Sequence, residues 1–201
     1  DLSPAYFGLV MATGIVSLAA FMMGHRLVAI SLFYLNIVQY FVLLALYVLR
    51  LWRFPGRFFG DMFTHAVGPG YFTMVAGTGI LANQFLILGE NVAIGAAFWG
   101  FAVLLWLCLT YTIFTALTIK RDKPTLDKGI NGGWLLAVVA TQAISVASAL
   151  LAARIGQPYR LEINLLALSM WLFGGMLYIW LMSLIFYRYA FFRFSPDDLS
   201  P

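Results

Sequence analysis

Charge is what this chain has least of. Twelve Lys and Arg and eight Asp and Glu make up 10% of 201 residues, where a water-soluble domain carries about 25%. So few charges cannot cover a surface that faces water. Cysteine is scarcer still: Cys108 stands alone, which excludes an internal disulfide. No basic stretch precedes the first apolar segment, so no cleavable leader is visible, and the chain opens on Asp1. Within the long apolar stretches there is no acid–base pair, no nucleophile with its base and no set of metal ligands. His25 and His65 each fall at the end of a stretch, where an interfacial histidine is the simpler reading than a ligand. These absences argue against a membrane-embedded enzyme and call for neither cofactor nor metal. They also count against a proton- or sodium-coupled carrier, which ordinarily needs an ionisable side chain inside the membrane.

What is present is apolar length. Hydrophobic residues make up 63% of the chain, and six stretches are free of charge: Leu2–Gly24, Leu27–Leu49, Ala66–Gly89, Asn91–Ile119, Ile130–Ala153 and Ile163–Tyr187. Each exceeds the ~20 residues that carry a helix across a bilayer core. In lipid every backbone N–H and C=O must be paired within the protein, and without period-two alternation that means helices. The expected fold is therefore an all-α membrane protein of six transmembrane helices. Basic residues set the orientation. Arg50, Arg53 and Arg57, then Lys120, Arg121, Lys123 and Lys128, then Arg188 and Arg193 follow the even spans; only Arg26, Arg154 and Arg160 follow the odd ones. The excess of positive charge predicts a cytoplasmic N-terminus in an inner or plasma membrane. Because the basic clusters flank membrane spans, nucleic-acid binding is a poor reading of the net charge of +4.

Compared with itself, the chain repeats. Pro4-Ala-Tyr-Phe-Gly-Leu-Val-Met-Ala-Thr-Gly-Ile15 returns as Pro69-Gly-Tyr-Phe-Thr-Met-Val-Ala-Gly-Thr-Gly-Ile80, with seven of twelve positions identical at an offset of 65. A weaker match at an offset of 63 sets Gly133-Trp134 against Gly70-Tyr71 and Thr141 against Thr78. Asp198-Leu-Ser-Pro201 repeats Asp1-Leu-Ser-Pro4. The reading is a single transmembrane domain of three helical hairpins, residues 1–64, 65–128 and 129–197, ending where a fourth would begin. Parallel repeats of this kind surround an axis along the membrane normal. The even spans hold 17 aromatic residues and the odd spans seven, the odd ones being rich in Gly, Ser and Thr. Small residues let backbones approach in lipid, whereas aromatic residues suit a lipid-facing ring. The odd spans should form an inner ring and the even spans an outer one, either around a lumen or packed without a hole. The odd spans start at the basic face, where helix N-termini and loop arginines both favour anions. Pro4 and Pro69 suit a first turn, and Asn131 suits an N-cap.

The segments Pro4-Ala-Tyr-Phe-Gly-Leu-Val-Met-Ala-Thr-Gly-Ile-Val-Ser17, Asn131-Gly-Gly-Trp-Leu-Leu136 with Gln142, and Ser195-Pro-Asp-Asp-Leu-Ser-Pro201 resemble the tellurite-resistance/dicarboxylate transporter family. That family takes in slow-type anion channels, malate permeases and sulfite exporters. The resemblance implies a ring of ten helices in five hairpins, a pore lined by the odd helices, a homotrimer with one pore per subunit, and passage of small anions without a cofactor. Those anions are C4-dicarboxylates such as malate, or oxyanions such as tellurite and sulfite. On this reading the pore lining would include Phe7, Thr13, Gly14, Ser17, Phe72, Thr78, Gly79, Thr141, Gln142 and Ser145. The family's gating phenylalanine would lie beyond Pro201, and the chain reads as the N-terminal part of a longer protein. The alternatives are a proton-coupled carrier of the same anions and a non-conducting membrane scaffold.

Overall fold

The computed structural model describes residues 2–193; the second Asp-Leu-Ser-Pro, at 198–201, lies outside them. Eight α-helices follow in order: α1 (Gly8–Met22), α2 (Arg26–Arg53), α3 (Pro55–Met62), α4 (Phe72–Ile87), α5 (Val92–Ile119), α6 (Leu126–Gly129), α7 (Leu135–Ala152) and α8 (Tyr159–Phe191). No strand occurs among the described residues. Among the described residues, five helical stretches are long and apolar enough to cross a membrane: Pro4–Met22, Arg26–Arg53, Val92–Ile119, Gly132–Ala152 and Tyr159–Phe191. At a rise of 1.5 Å per residue, the 28 residues of α2 and of α5 reach about 42 Å, enough for the hydrocarbon core and both headgroup layers.

The remaining expected span, Ala66–Gly89, takes a different form. It is a 16-residue helix, α4, entered through a 3-10 turn at Gly68–Tyr71. Glycine, threonine and the Asn83-Gln84 pair dilute its apolar character, so it falls short of the other five. It is also the most enclosed helix: all of its residues but Ile80, Phe85 and Ile87 are buried. Its polar residues are sheltered by protein on every side, not presented to lipid.

α1, α4 and α7, which meet through α4 and are called the inner helices below, each begin in the same way. A 3-10 turn precedes α1 at Pro4–Phe7, α4 at Gly68–Tyr71 and α7 at Gly132–Trp134. Pro4 and Pro69 occupy first-turn positions, where the missing N–H costs nothing. Ser3 and Asn131 cap two of the turns, accepting from the N–H of Ala5 and of Gly133. At the far end, α1 stops because Gly24 adopts φ +84°, the left-handed conformation that closes helices. The break between α2 and α3 follows from Pro55. The residue before a proline avoids helical backbone, and Phe54 sits at φ −138°, ψ 57°.

Packing follows the chain in pairs. α1 lies against α2, α4 against α5 and α7 against α8, while α4 also packs against α1 and α7. Glycine sets the inner contacts. A side chain at Gly14 would collide with Ile80 of α4, and one at Gly79 would come 3.1 Å from Ala143 of α7. Certain hydrogen bonds recur at fixed spacings. Ser17 Oγ donates to the Ala29 carbonyl (2.7 Å) and Ser145 Oγ to the Ala167 carbonyl (2.8 Å). Arg50 donates to the Leu2 carbonyl and Arg188 to the Ile130 carbonyl. Ser17 to Ser145 and Leu2 to Ile130 are both 128 residues; Ala29 to Ala167 and Arg50 to Arg188 are both 138. Exposure distinguishes α7 from the helices packed against it, α5 and α8. The apolar window of α7 is 61% buried, those of α5 and α8 only 22%. The windows containing α1 and α2 are 22% and 28% buried, so burial alone does not set α1 apart from the aromatic-rich helices.

Candidate functional site

Polar side chains of the apolar helices meet in a seam with two parts, one around α4 and one between α5 and α7. Its first part lies between α1, α2 and α4. Asn36 Nδ2 donates to Gln84 Oε1 at 2.6 Å, with both side chains fully buried. Gly14 makes the room: a Cβ there would stand 2.8 Å from that same Asn36 nitrogen. One helical turn away, the hydroxyls of Tyr40 and Thr78 are 3.1 Å apart, and Thr78 Oγ1 also reaches the Met74 carbonyl of its own helix. The second part lies between α5 and α7. Trp106 Nε1 donates to Thr141 Oγ1 (2.9 Å) and Trp99 Nε1 to Ser148 Oγ (2.8 Å). The two parts correspond. Asn36 to Trp99 is 63 residues and Gln84 to Ser148 is 64; Tyr40 to Trp106 is 66 and Thr78 to Thr141 is 63. In each, an outer helix reaches a polar group on the inner helix of the next pair. Hydrogen bonds between helices in lipid contribute roughly 0.6–2 kcal/mol each.

The ten residues expected along a pore are placed as follows. Phe7 is fully buried at the start of α1, edge-on to Tyr40 and Tyr47 with centroids 5.6 and 5.2 Å away. Phe72, at the corresponding point of α4, lies 6.3 Å from Phe114. Gly14 and Gly79 are the contact points between inner helices. Ser17, Thr78, Thr141 and Ser145 are buried, with their hydroxyls engaged to α2, α5 and α8. Gln142 is half-buried and donates to the Trp171 carbonyl at 3.2 Å, lying against Gly174. Thr13 is half-buried on α1. The structure thus sets Gly14 at the α1–α4 contact, Gly79 at the α4–α7 contact and Thr78 toward Tyr40 of α2. It sets Thr141, Gln142 and Ser145 along α7, toward α5 and α8. Asn36 and Trp106 belong to the same seam, although composition placed their spans in an outer ring. Asn36 had a signal: it continues the buried row Ala29, Phe33, Asn36, Tyr40, Tyr47 on α2, whose spacing marks one helix face.

The face from which the inner helices start is positive. Arg50 is paired with Asp61 (2.5 Å) and ties down the Leu2 carbonyl (2.7 Å), while Tyr47 donates to the Ser3 carbonyl at 2.6 Å. Together they fix the start of α1. Asn131 donates to the Ala66 carbonyl, and Lys120 to the Phe63 carbonyl. Between them, His65 is half-buried near Trp134. Burial, then the charges of Lys120 and Lys123, hold its imidazole below the ordinary value of 6.5. The helices that form the seam carry no carboxylate in their apolar stretches. Among the described residues no group of three or more His, Cys, Asp or Glu could hold a metal.

Comparison with known proteins finds relatives named as transporters. The chain is 26% identical, over 98% of its length, to the uncharacterized transporter MJ0576 of Methanocaldococcus jannaschii. It is 24% identical, again over 98%, to the uncharacterized transporter MJ0762 of the same organism. In both cases it spans 58% of the relative's length. No solved structure gives a significant match. The family model for the voltage-dependent anion channel matches residues 1–201, and the chain, an integral membrane protein, therefore belongs to the voltage-dependent anion channel (SLAC1) family.

Proposed function

We propose that the complete protein moves small anions across a membrane through a pore bounded by α1, α4 and α7. The observation that carries this reading is the match of the whole chain to the anion-channel family, joined by the sign of the local field. Arginine and lysine flank the starts of the inner helices, and the apolar stretches of those helices hold no carboxylate. Hydroxyl and amide groups hold an anion weakly enough to release it. In this reading α4 is the sixth crossing, and the three helix pairs are successive hairpins of residues 1–64, 65–128 and 129–197. The 128- and 138-residue spacings of matched contacts support that division. Five such hairpins would close the ring, and the basic face would be cytoplasmic. Phe7, Thr13, Gly14, Ser17, Phe72, Thr78, Gly79, Thr141, Gln142 and Ser145 would bound the conduit. The hydroxyls engaged with α2, α5 and α8 would hold its wall, leaving Thr13 to face the lumen.

The cargo proposed is a small carboxylate such as malate or an oxyanion such as sulfite or tellurite, and the assembly a homotrimer, both on family grounds. Flux through a channel follows the anion's own electrochemical gradient. Liposomes containing the full-length protein should carry malate, or a small monovalent anion, at a rate set by voltage and concentration alone. Transport that required an imposed proton gradient would favour a coupled carrier, and protein-independent leakage alone would favour a scaffold.

A further inference from the structure

The end of α2 and the start of α3 form a cavity of about 490 Å³ lined by Leu2, Leu46, Leu49, Arg50, Arg53, Phe54 and Arg57. Its size is that of an ordinary ligand site, and its two halves differ in chemistry. One half is cationic. Asp61 already neutralises Arg50, while Arg53 and Arg57 are exposed and make no ion pair among the described residues. The chain reversal at Phe54 brings Arg57 back toward Arg53, and the Arg57 guanidinium rests over the Phe54 ring at 5.5 Å. The other half is apolar: Leu46 and Leu49 lie on the lipid-exposed side of α2, each more than 40% exposed.

The surroundings fit the membrane interface. α3 is amphipathic, with Phe58 and Met62 buried beneath it and Phe54 and Phe59 exposed beside it. Trp52, 84% exposed one turn back on α2, is the residue type that anchors helices at headgroup depth. Amphipathic helices with exposed aromatic residues lie in this layer.

We propose that this cavity binds an anionic phospholipid. Arg53 and Arg57 take the phosphodiester, and an acyl chain runs along Leu49 and Leu46. A soluble anion would use the guanidinium groups alone and gain nothing from the leucine wall. The site is at the far end of α2 from Asn36 and Tyr40, beyond the seam, and is distinct from the proposed conduit. It does lie beside the Arg50–Leu2 contact that fixes the start of α1. The proposal does not depend on transport, because the measurement is of binding.

The test is native mass spectrometry of the full-length protein, released from detergent with phosphatidylglycerol or with phosphatidylcholine. The wild type should retain phosphatidylglycerol over phosphatidylcholine. Two arginines facing an anionic headgroup are each worth enough that the Arg53→Gln/Arg57→Gln variant should lose at least about tenfold in that preference. Lys123→Gln/Lys128→Gln makes the same change in net charge on the same face, outside the cavity, and should keep the preference. Millimolar inorganic phosphate should not displace the lipid. The proposal is overturned by equal retention of the two lipids in the wild type or by unchanged retention in the arginine variant. An equal loss in the lysine variant, or displacement by phosphate, would also overturn it. Both arginines are exposed, so matching thermal melts of the variants in phosphatidylcholine will confirm that the fold is intact.

Discussion

At the scale of single residues, this protein depends on glycine to bring polar groups together where there is no water. Gly14 lies against Ile80, Asn36 and Gln84 at once, and a methyl group there has nowhere to go. Gly14→Ala should destabilise the protein by about 1–3 kcal/mol, the usual cost of overpacking. Gly175→Ala, with nothing within 4 Å of the added carbon, should be close to neutral. Thermal unfolding of the two variants in one detergent makes the comparison; equal stability would mean that the Gly14 contact is not formed. Trp106 and Thr141 provide a second test. A double-mutant cycle of Trp106→Phe and Thr141→Val should give a coupling of about 0.6–2 kcal/mol. A coupling near zero would show that the indole donates elsewhere.

At the scale of elements, the loops do more than connect. The loop between α3 and α4 holds His65 against Trp134 and within the field of Lys120 and Lys123. Burial and like charge both oppose protonation, so the folded chain binds this proton less readily than the unfolded one. The sign of the linkage follows. Stability is full above the ordinary imidazole value of 6.5 and falls as pH drops from there through the lowered folded value. The imidazole signal of His65, followed by NMR against pH, should titrate below 6.5 and move upward in Lys120→Gln/Lys123→Gln. A midpoint above 6.5 would contradict the geometry. Gly24, at φ +84°, ends α1 in a conformation that a side chain resists. Gly24→Ala should cost about 1 kcal/mol in the same melts.

At the scale of the whole molecule, the prediction is orientation. Nine of twelve basic residues follow the even spans, and this bias sets topology. A cysteine introduced at position 123 in a Cys108→Ser background should react with an impermeant maleimide only after the membrane is opened. Reaction in intact cells would invert the topology and move the basic face outside. The same experiment at position 154 should give the opposite pattern, since Arg154 follows an odd span.

Composition and spacing alone determined that the chain is helical and lies in lipid, because 10% charge and apolar runs of this length leave no other solvent for it. The helix starts were legible in Pro4, Pro69 and Asn131, where the chemistry is local, but not that each opens with a 3-10 turn. The close approach of the inner helices was legible in their glycines. Sequence did not reveal what each polar group would meet, because hydrogen-bond partners 35–49 residues apart are set by helix rotation and depth, which propensity does not encode. The hydroxyls of Ser17, Thr78, Thr141 and Ser145 belonged to an inner inventory by composition. Only tertiary packing turned them onto Ala29, Tyr40, Trp106 and Ala167. It did the same for Asn36, on a largely apolar helix, by placing it opposite Gln84. In a medium that cannot hydrogen-bond, each such group must find its partner within the protein.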